Sequence, residues 1–397
     1  MKGAVDEGDR DVARRVRHLR AEGAYVVLAQ AQALEAEGRR IIHLEVGEPD
    51  FLASEEILDA GVEALRAGRA RYNPPAGIRE LREAIADFAG RQRGLTVAPA
   101  QVLVSPGAKP NMFFPTLALI DSGDEAIYPD PGFPTYAAMI GVAGGRAVPV
   151  PVVEERGFSF DLEAFDRALS ARTRLIILNS PANPTGGVIP RQDLEHIAEA
   201  ALRLNAWVIS DEIYTRITFE GGIAPSIASL PGMQERTVIV DGFSKTYAMS
   251  GWRMGYGIMP EALARRVELL LTHAYGCTAE FTQWAAVEAL RGSQEWVTAM
   301  VAEYRRRRDR VVAGLNAIPG VSCRSPQGAF YAFANIKGVG LPSDELAERI
   351  LREVGVALLP GTAFGSNGEG YLRLSYATSM ENLDQALERI DTYLRGL

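Results

Sequence analysis

Hydrophobic and polar positions along the chain predict short strands that alternate with longer helices. Brief apolar or β-branched runs mark strands at Val102–Val104, Glu125–Tyr128, Leu175–Leu178, Trp207–Ser210 and Val238–Val240. Charged and apolar residues at helical spacing predict the intervening helices, among them Ser54–Ala67, Ile78–Phe88, Asn111–Leu119 and Asp193–Leu204. This alternation favours a mostly parallel central sheet covered by helices, with ligands gathered at the carboxyl ends of its strands.

The two ends of the chain follow a different pattern. Near the N-terminus, Val26, Ala29, Ala33 and Leu34 share one face of a predicted helix that leads to a strand at Ile41–Leu44. After about residue 290 the pattern predicts a smaller α+β domain, built from the segments Glu295–Leu315, Ala329–Phe333, Ser343–Val354, Tyr371–Ser375 and a final helix. We therefore predict an N-terminal arm and part of the small domain over residues 1–48, a large domain over 49–290 and a small C-terminal domain over 291–397.

Composition places the chain among ordinary globular proteins. Of its 397 residues, 47% are hydrophobic and 23% charged, enough to bury a large core. A formal charge of -8 argues against a nucleic-acid surface, and no apolar run reaches the roughly 18 residues of a membrane span. Two cysteines, Cys277 and Cys323, are predicted as buried core residues and favour a reducing compartment. The acidic and arginine-rich N-terminus lacks a signal core, so we expect a cytoplasmic protein that binds neither nucleic acid nor membrane.

A lysine follows the predicted strand Val238–Val240. Lys245 stands after Ser244 in the hydroxyl- and glycine-rich segment GFSKT, where loss of solvent would lower its pKa towards that of a nucleophilic amine. Most lysines in such loops are solvated surface groups, so Lys245 alone carries little weight. Its significance depends on the motifs around it.

Two glycine-containing segments are suited to bind phosphate. Arg253, in the segment SGWRMGY, is flanked by glycines that let its guanidinium approach an anion closely. The segment SPGAK, residues 105–109, follows a strand and opens a predicted helix, whose first N–H groups have no partner within the helix. Each segment alone is also compatible with an ordinary turn. Together with the loop lysine they indicate a phosphate site.

Two further loops place polar groups after strands. In NSPANPTGG, prolines on both sides of Asn183 predict an unusual backbone path with a cis bond, which would turn the Asn side chain inward. A purely structural turn explains this loop equally well. In SDEIY, Asp211 is placed to pair with a heteroaromatic nitrogen, and Tyr214, three residues on, to reach the same ring.

Four ordered motifs resemble a known enzyme family. NSPANPTGG, SDEIY, GFSKTYAMSGWRMGY and RLSYA resemble those of the class I/II aminotransferases, which use pyridoxal 5'-phosphate (PLP) and have fold type I. The resemblance runs from about Gly23 to the C-terminus and includes GEPDF at 47–51 and YNPPAGIRELREAI at 72–85. It implies the α/β fold of the aspartate aminotransferase-like enzymes, with PLP in the large domain and a homodimer with shared sites. The implied reaction transfers the amino group of an L-amino acid to a 2-oxo acid by a ping-pong mechanism.

The resemblance also implies roles for the residues around the cofactor. Lys245 would be the Schiff-base lysine and the base that moves the substrate proton, and Asp211 would pair with the protonated ring nitrogen. Asn183 and Tyr214 would hydrogen-bond the ring hydroxylate. The remaining implied cofactor contacts are the phosphate ligands Ser244, Arg253, Gly107, Ala108 and Lys109, the stacking ring of Phe133, and Tyr72, which would reach the phosphate of the partner subunit.

Substrate contacts follow from the same resemblance. Arg373 in RLSYA would bind the α-carboxylate, with Asn183 and the backbone of Gly47 beside it. Lys109 stands where some bacterial aspartate aminotransferases have a lysine that binds the distal carboxylate, which makes aspartate and 2-oxoglutarate the best single substrate pair. Tyr25, bulkier than the residue usual there, and the unusual stretch 273–281 indicate an altered pocket for an aromatic, aliphatic or specialised-metabolite amino acid.

The same residues are compatible with functions other than that of an aminotransferase. PLP-dependent lyases and deaminases share these motifs, so they stay open. A PLP-sensing regulator is disfavoured, because only about 45 residues precede Gly47 and the chain is acidic. No metal is predicted, since His18, His43, His196 and His273 show no ligand spacing. The run Arg305–Arg308 is predicted to be a solvated helix face, because successive helical residues point in different directions.

Overall fold

The computed structural model describes residues 12–17 and 19–397, so predictions that concern residues 1–11 or His18 lie outside the described residues. The helices are α1 (Gly23–Ala36), α2 (Glu55–Arg66), α3 (Arg79–Arg93), α4 (Pro110–Leu119), α5 (Thr135–Val142), α6 (Leu162–Ala168), α7 (Arg191–Leu204), α8 (Glu261–Ala274), α9 (Glu280–Arg291), α10 (Glu295–Asn316), α11 (Ser343–Arg349) and α12 (Met380–Arg395). The strands are β1 (Ile42–His43), β2 (Val102–Ser105), β3 (Glu125–Asp130), β4 (Arg146–Val153), β5 (Ser159–Phe160), β6 (Thr173–Asn179), β7 (Trp207–Asp211), β8 (Thr237–Gly242), β9 (Gly255–Ile258), β10 (Tyr331–Asn335), β11 (Val356–Ala357), β12 (Leu359–Pro360) and β13 (Tyr371–Ser375).

A mixed but mainly parallel sheet occupies the middle of the chain. Its strand order is β2-β9-β8-β7-β6-β3-β4-β5, and the pairs from β8 through to β4 are parallel. Strand β9 runs antiparallel to β2 and β8, and β5 runs antiparallel to β4. The strand order reverses between β6 and β3, and in sheets of this kind ligands bind beside such a reversal. The predicted mostly parallel sheet is confirmed.

Helices cover both faces of this sheet because its central strands are apolar on both sides. In β6, buried residues such as Ile176 and Ile177 point to opposite faces. One face packs against α4, α5 and α8, and the other against α6 and α7. Burial of these strands thereby fixes the position of their carboxyl ends and of the loops that follow them.

The chain ends pack together outside the large sheet. Strands β10, β13 and β12 form an antiparallel sheet, and β1 pairs in parallel with β11, where Ile42 lies opposite Val356. Ile42 and Leu44 share a hydrophobic cluster with residues of α10 and α12. These contacts agree with an N-terminal segment that adds to the C-terminal part, whereas the three domain boundaries stay a prediction.

Two sequence-based expectations about side-chain burial were wrong in part. Helix α1 buries Ala31 and packs Val27 and Leu34 against its cluster, while Val26 of the predicted face is 46% exposed. Because α1 is apolar on several sides, spacing alone did not select its buried face. In α10, Arg307 is buried rather than solvated and binds the carboxylate of Asp50 at 2.7 Å.

The cysteines and the apolarity of the helices concern the predicted cellular compartment of the protein. Cys323 is buried as predicted, whereas Cys277 is only half-buried, and both are free thiols. Among the helices of the described residues, none combines the length and apolarity needed to cross a membrane.

Candidate active site

A cavity of about 520 Å³ opens where the carboxyl ends of β3, β6, β7 and β8 meet the C-terminal part of the chain. Its wall contains most of the predicted site residues: Tyr25, Gly47, Ala108, Lys109, Phe133, Asn183, Asp211, Tyr214, Ser244, Lys245, Arg253 and Arg373. Gly107 lies directly behind this wall, and Tyr72 lies elsewhere on the surface with 98% of its area exposed. Segments that are distant in sequence thus converge on one cavity.

Lys245 follows β8 and extends into the cavity. Its Nζ donates a hydrogen bond to the carbonyl oxygen of Gly47 at 2.5 Å and lies 5.8 Å from the centre of the Phe330 ring. Desolvation lowers the pKa of Lys245 to about 8, and the positive charges of Arg373 and Arg253 act in the same direction. About a tenth of this amine is therefore neutral and nucleophilic at pH 7.

Asp211 ends β7 at the floor of the cavity. Tyr136 donates to one of its carboxylate oxygens at 2.7 Å, and the backbone N–H of Ile213 donates to the other at 3.3 Å. Burial raises the pKa of Asp211 to about 6, although the bond from Tyr136 opposes this shift. A cationic group placed beside Asp211 would favour its charged form, so this carboxyl group is suited to a protonated ring nitrogen.

Arg253 and the turn before α4 form an anion-binding corner. The Arg253 guanidinium donates to the carbonyl oxygen of Ser250 at 2.7 Å, and it lies so close to Gly107 that a Cβ there would collide with it. Gly107 also has φ +88°, a conformation that favours glycine. The turn leads directly into the N-terminus of α4 at Pro110. A guanidinium beside a helix N-terminus is the donor set that a phosphate group requires.

Arg373 lies on β13, on the opposite side of the cavity. It is 3% exposed, donates to the side-chain oxygen of Asn183 at 3.3 Å and also bonds the carbonyl oxygen of Glu45. Its guanidinium packs over the rings of Tyr331 and Phe364. Burial lowers the pKa of Arg373, and its Nε is buried with no hydrogen-bond partner among the described residues. Such a guanidinium is suited to accept a carboxylate as its missing partner.

Sequence reasoning missed two tyrosines of this site. Tyr136 holds Asp211, and Tyr331 shares a hydrogen bond of 2.7 Å with Tyr214 through their hydroxyl groups. The Tyr331 hydroxyl also fills the space that a Cβ on Gly47 would need, which explains why a glycine stands there. Tyr331 lies in a strand that the pattern predicted. A tyrosine on a buried strand indicates a hydroxyl group that needs a hydrogen-bond partner, so this residue could have been identified from the sequence.

A buried ionic network supports the floor of the cavity. Arg93, at the end of α3, donates to Glu212 at 2.7 Å and to Asp241 at 2.8 Å. Tyr256 donates to the same oxygen of Asp241 at 3.0 Å. Because Glu212 directly follows Asp211, this network holds the backbone that presents the Asp211 carboxylate. Nothing local in the sequence identified Arg93.

Replacing Arg93 by methionine is expected to lower the free energy of unfolding by about 3–5 kcal/mol, because two buried carboxylates lose their cation. The matched control is Arg91→Met, two residues earlier on the same helix, where an exposed arginine pairs with Asp87. That change should cost at most about 0.5 kcal/mol. Urea unfolding at one protein concentration measures both, and similar losses in the two variants would contradict this role of Arg93.

Two of the described histidines pair with side-chain carboxylates. His43 bonds Glu45 at 2.7 Å, and His196 bonds Asp166 at 2.8 Å. Within the described ranges, no group of histidine, cysteine, aspartate and glutamate side chains has the arrangement of a metal site.

Comparisons with known proteins agree with this geometry. Residues 39–390 match the family model described as aminotransferase class I and II. The aspartate aminotransferase of Pyrococcus abyssi is 41% identical over 89% of this chain and 92% of its own length. Aromatic-amino-acid aminotransferase 2 of Thermococcus litoralis is 39% identical over 92% of this chain and 93% of its own. The structure of aspartate aminotransferase from Thermus thermophilus with maleate aligns with a TM-score of 0.92 at 38% identity, covering 98% of this chain and all of that one.

Proposed function

The chain belongs to the class I and II aminotransferase family, and from this premise we propose how its residues act. It is a PLP-dependent aminotransferase of fold type I, and its substrates are an amino acid and a 2-oxo acid. We propose that Lys245 holds PLP covalently through Nζ and moves the proton at the substrate Cα. Bound PLP supplies the electron sink that lets this proton leave and return. The observation that carries the proposal is that Lys245 lines one cavity together with Asp211, Arg253 and Arg373.

The residues present fit this cofactor. Arg253, Ser244 and the turn at Gly107 would bind its phosphate, and the close approach of Gly107 to the Arg253 guanidinium supports this role. Asp211 would pair with the ring nitrogen, a role supported by its place in the cavity wall and by the hydrogen bond from Tyr136 that holds its carboxylate. The backbone of Ala108 and Lys109 would complete the phosphate site, and the other proposed ring contacts are those from Asn183, Tyr214 and Phe133.

Arg373 is proposed to hold the substrate α-carboxylate. Its buried, unpartnered Nε supports a role in which an anion completes the hydrogen bonding of the guanidinium. Asn183, which already bonds Arg373, and the backbone of Gly47 would contact the same end of the substrate. A carboxylate held there orients the amino group of the substrate towards Lys245.

Aspartate with 2-oxoglutarate is the proposed best substrate pair. Lys109 in the cavity wall and the aspartate aminotransferases among the relatives support it. Tyr25 at the cavity mouth and the relative that acts on aromatic amino acids support the alternative of an aromatic donor. A donor screen with 2-oxoglutarate as acceptor tests the choice. Release of ammonia or pyruvate without an acceptor would instead favour the lyase or deaminase alternative.

Uptake of PLP by the apoenzyme is expected to follow the titration of Lys245. With its pKa near 8 instead of the usual 10.5, the neutral amine is the minor form at pH 7 and the major form at pH 9. The rate of uptake should rise about tenfold over this range and then level off. Stopped-flow absorbance measures it, with the reaction of PLP and N-acetyl-lysine amide as the reference for the ionisation of the cofactor. A rate that keeps rising up to pH 10 would contradict a lowered pKa.

The chain is proposed to form a homodimer with shared sites. Several large apolar side chains are exposed on the single chain, including Leu52 at 86%, Tyr72 at 98% and Tyr25 at 65%. Exposed apolar groups of this size support an interface. Tyr72 lies outside the cavity of its own chain, which supports its proposed role at the site of the partner subunit.

A hybrid dimer tests this sharing. We expect Tyr72→Ala to lose about 90% of the activity and Lys245→Ala to lose nearly all of it. A dimer that contains one subunit of each kind would have one intact site, and should therefore recover about half of the wild-type activity. Two affinity tags on co-expressed chains isolate the hybrid. A hybrid no more active than half a Tyr72→Ala dimer would show that Tyr72 serves its own subunit or none.

We also propose that the protein works in the cytoplasm. The two free cysteines support a reducing compartment. The substrates of the family, amino acids and 2-oxo acids, are abundant small metabolites of that compartment.

A further inference from the structure

The cavity wall contains an ion pair formed by the chain itself. Lys109, directly before α4, donates from Nζ to a carboxylate oxygen of Glu22, and the hydroxyl of Thr135 donates to the same oxygen at 3.4 Å. The Lys109 ammonium also lies 5.1 Å from the centre of the Phe133 ring. Glu22 and Lys109 line the same cavity as Lys245. One cation of the cavity is therefore already paired with a carboxylate of the protein.

The start of α1 holds Glu22 in this position. Glu22 directly precedes the helix, and its carbonyl oxygen accepts a hydrogen bond from the backbone N–H of Tyr25 at 3.0 Å. The next residue, Gly23, packs against Ala363, since a Cβ on Gly23 would lie 2.9 Å from the Ala363 methyl group. The Glu22 side chain is 26% exposed, so it faces the cavity wall more than solvent. Its carboxylate is thus a built part of the site.

We propose that Glu22 is a specificity-determining residue, an internal counter-ion that the distal carboxylate of a dicarboxylic substrate must displace from Lys109. The inference rests on the proposed function, in which Arg373 holds the α-carboxylate. A distal carboxylate competes with Glu22 for the same ammonium. A neutral aromatic or aliphatic side chain leaves the ion pair intact. Glu22 therefore shifts the preference of the enzyme from dicarboxylic towards neutral side chains.

Calorimetric titration of the holoenzyme with two substrate analogues tests this role. Succinate has both carboxylates, whereas 3-phenylpropionate keeps one and has a ring in place of the other. In Glu22→Gln, the dissociation constant of succinate is expected to fall about tenfold, and that of 3-phenylpropionate to stay unchanged. The matched control is Glu35→Gln, which removes the same charge from α1 where the carboxylate bonds His43. It should change neither constant.

A second variant separates competition for Lys109 from a general change of charge. In a Lys109→Met background, Glu22→Gln should lose most of its effect on succinate, because the shared cation is absent. Equal effects on both analogues, or no gain for succinate in Glu22→Gln, would overturn the counter-ion role and leave the proposed function in place. If neither analogue binds wild type or any variant, the carboxylate site assigned to Arg373 is wrong, and the role of Glu22 falls with it.

Discussion

Replacing Lys245 by alanine is expected to lower the kcat of transamination by about 10⁵-fold or more, the scale seen when a covalent catalytic group is removed. The physical reason is that one amine has two proposed tasks. It holds PLP covalently, and it moves the proton at the substrate Cα. Desolvation keeps part of this amine neutral near pH 8, a condition that both tasks require.

Two other lysines provide controls for this variant. Lys337 is exposed and bonds Tyr371 away from the cavity, so Lys337→Ala should keep wild-type activity. Lys109 lines the cavity, and Lys109→Ala should weaken only dicarboxylic substrates. The measurement is single-turnover conversion of the bound cofactor by an amino acid, with PLP content determined for each variant. If Lys245→Ala bound PLP and kept its rate within about tenfold, the central assignment would be refuted.

Replacing Arg373 by methionine is expected to lower kcat/KM for amino acids by about 10³-fold. Truncating one partner of a buried charge pair costs about 2–5 kcal/mol, because the other charge is left without a partner. Here the pair would form between the buried guanidinium and the substrate α-carboxylate. Methionine has a comparable length and is apolar, so packing against Tyr331 and Phe364 is largely kept.

The role of Arg373 predicts a loss that depends on the substrate. Phenylalanine should lose most of its reactivity in Arg373→Met, whereas 2-phenylethylamine, which lacks the carboxylate, should react at the slow wild-type rate. Arg373→Lys keeps the charge but not the bidentate hydrogen-bonding geometry of the guanidinium, and should therefore recover part of the activity that Arg373→Met loses. Equal losses for the two substrates would mean that Arg373 supports the structure of the cavity and does not bind the carboxylate.

The central sheet and the loops after its strands were predictable from the sequence because their signals are local. All five predicted strands of that sheet exist, and each is one to three residues longer than predicted. Strand β9 was missed, because its residues GYGI contain two glycines and the first two residues were assigned to the phosphate-binding segment SGWRMGY. Helix α5 was missed too, since its residues are apolar on all sides and show no periodicity.

The contacts that tune the site could not be predicted in the same way. Tyr136 reaches Asp211 across 75 positions of the chain, Arg93 reaches Asp241 across 148, and Glu22 reaches Lys109 across 87. No feature of the local sequence distinguishes any of these residues from its neighbours. Their importance arises only when the fold brings the partners together, so sequence motifs identified most of the predicted groups that line the cavity but not the partners that hold them.

Borohydride reduction of the holoenzyme, followed by peptide mass mapping, tests the central claim most directly. Reduction fixes the cofactor on the lysine that holds it. The chain has four lysines, Lys2, Lys109, Lys245 and Lys337, and of the three that the structure describes, Lys109 and Lys245 line the cavity. We predict one phosphopyridoxyl label per chain, on the peptide that contains Lys245. A label on Lys109, or a holoenzyme in which no lysine is labelled, would contradict the account.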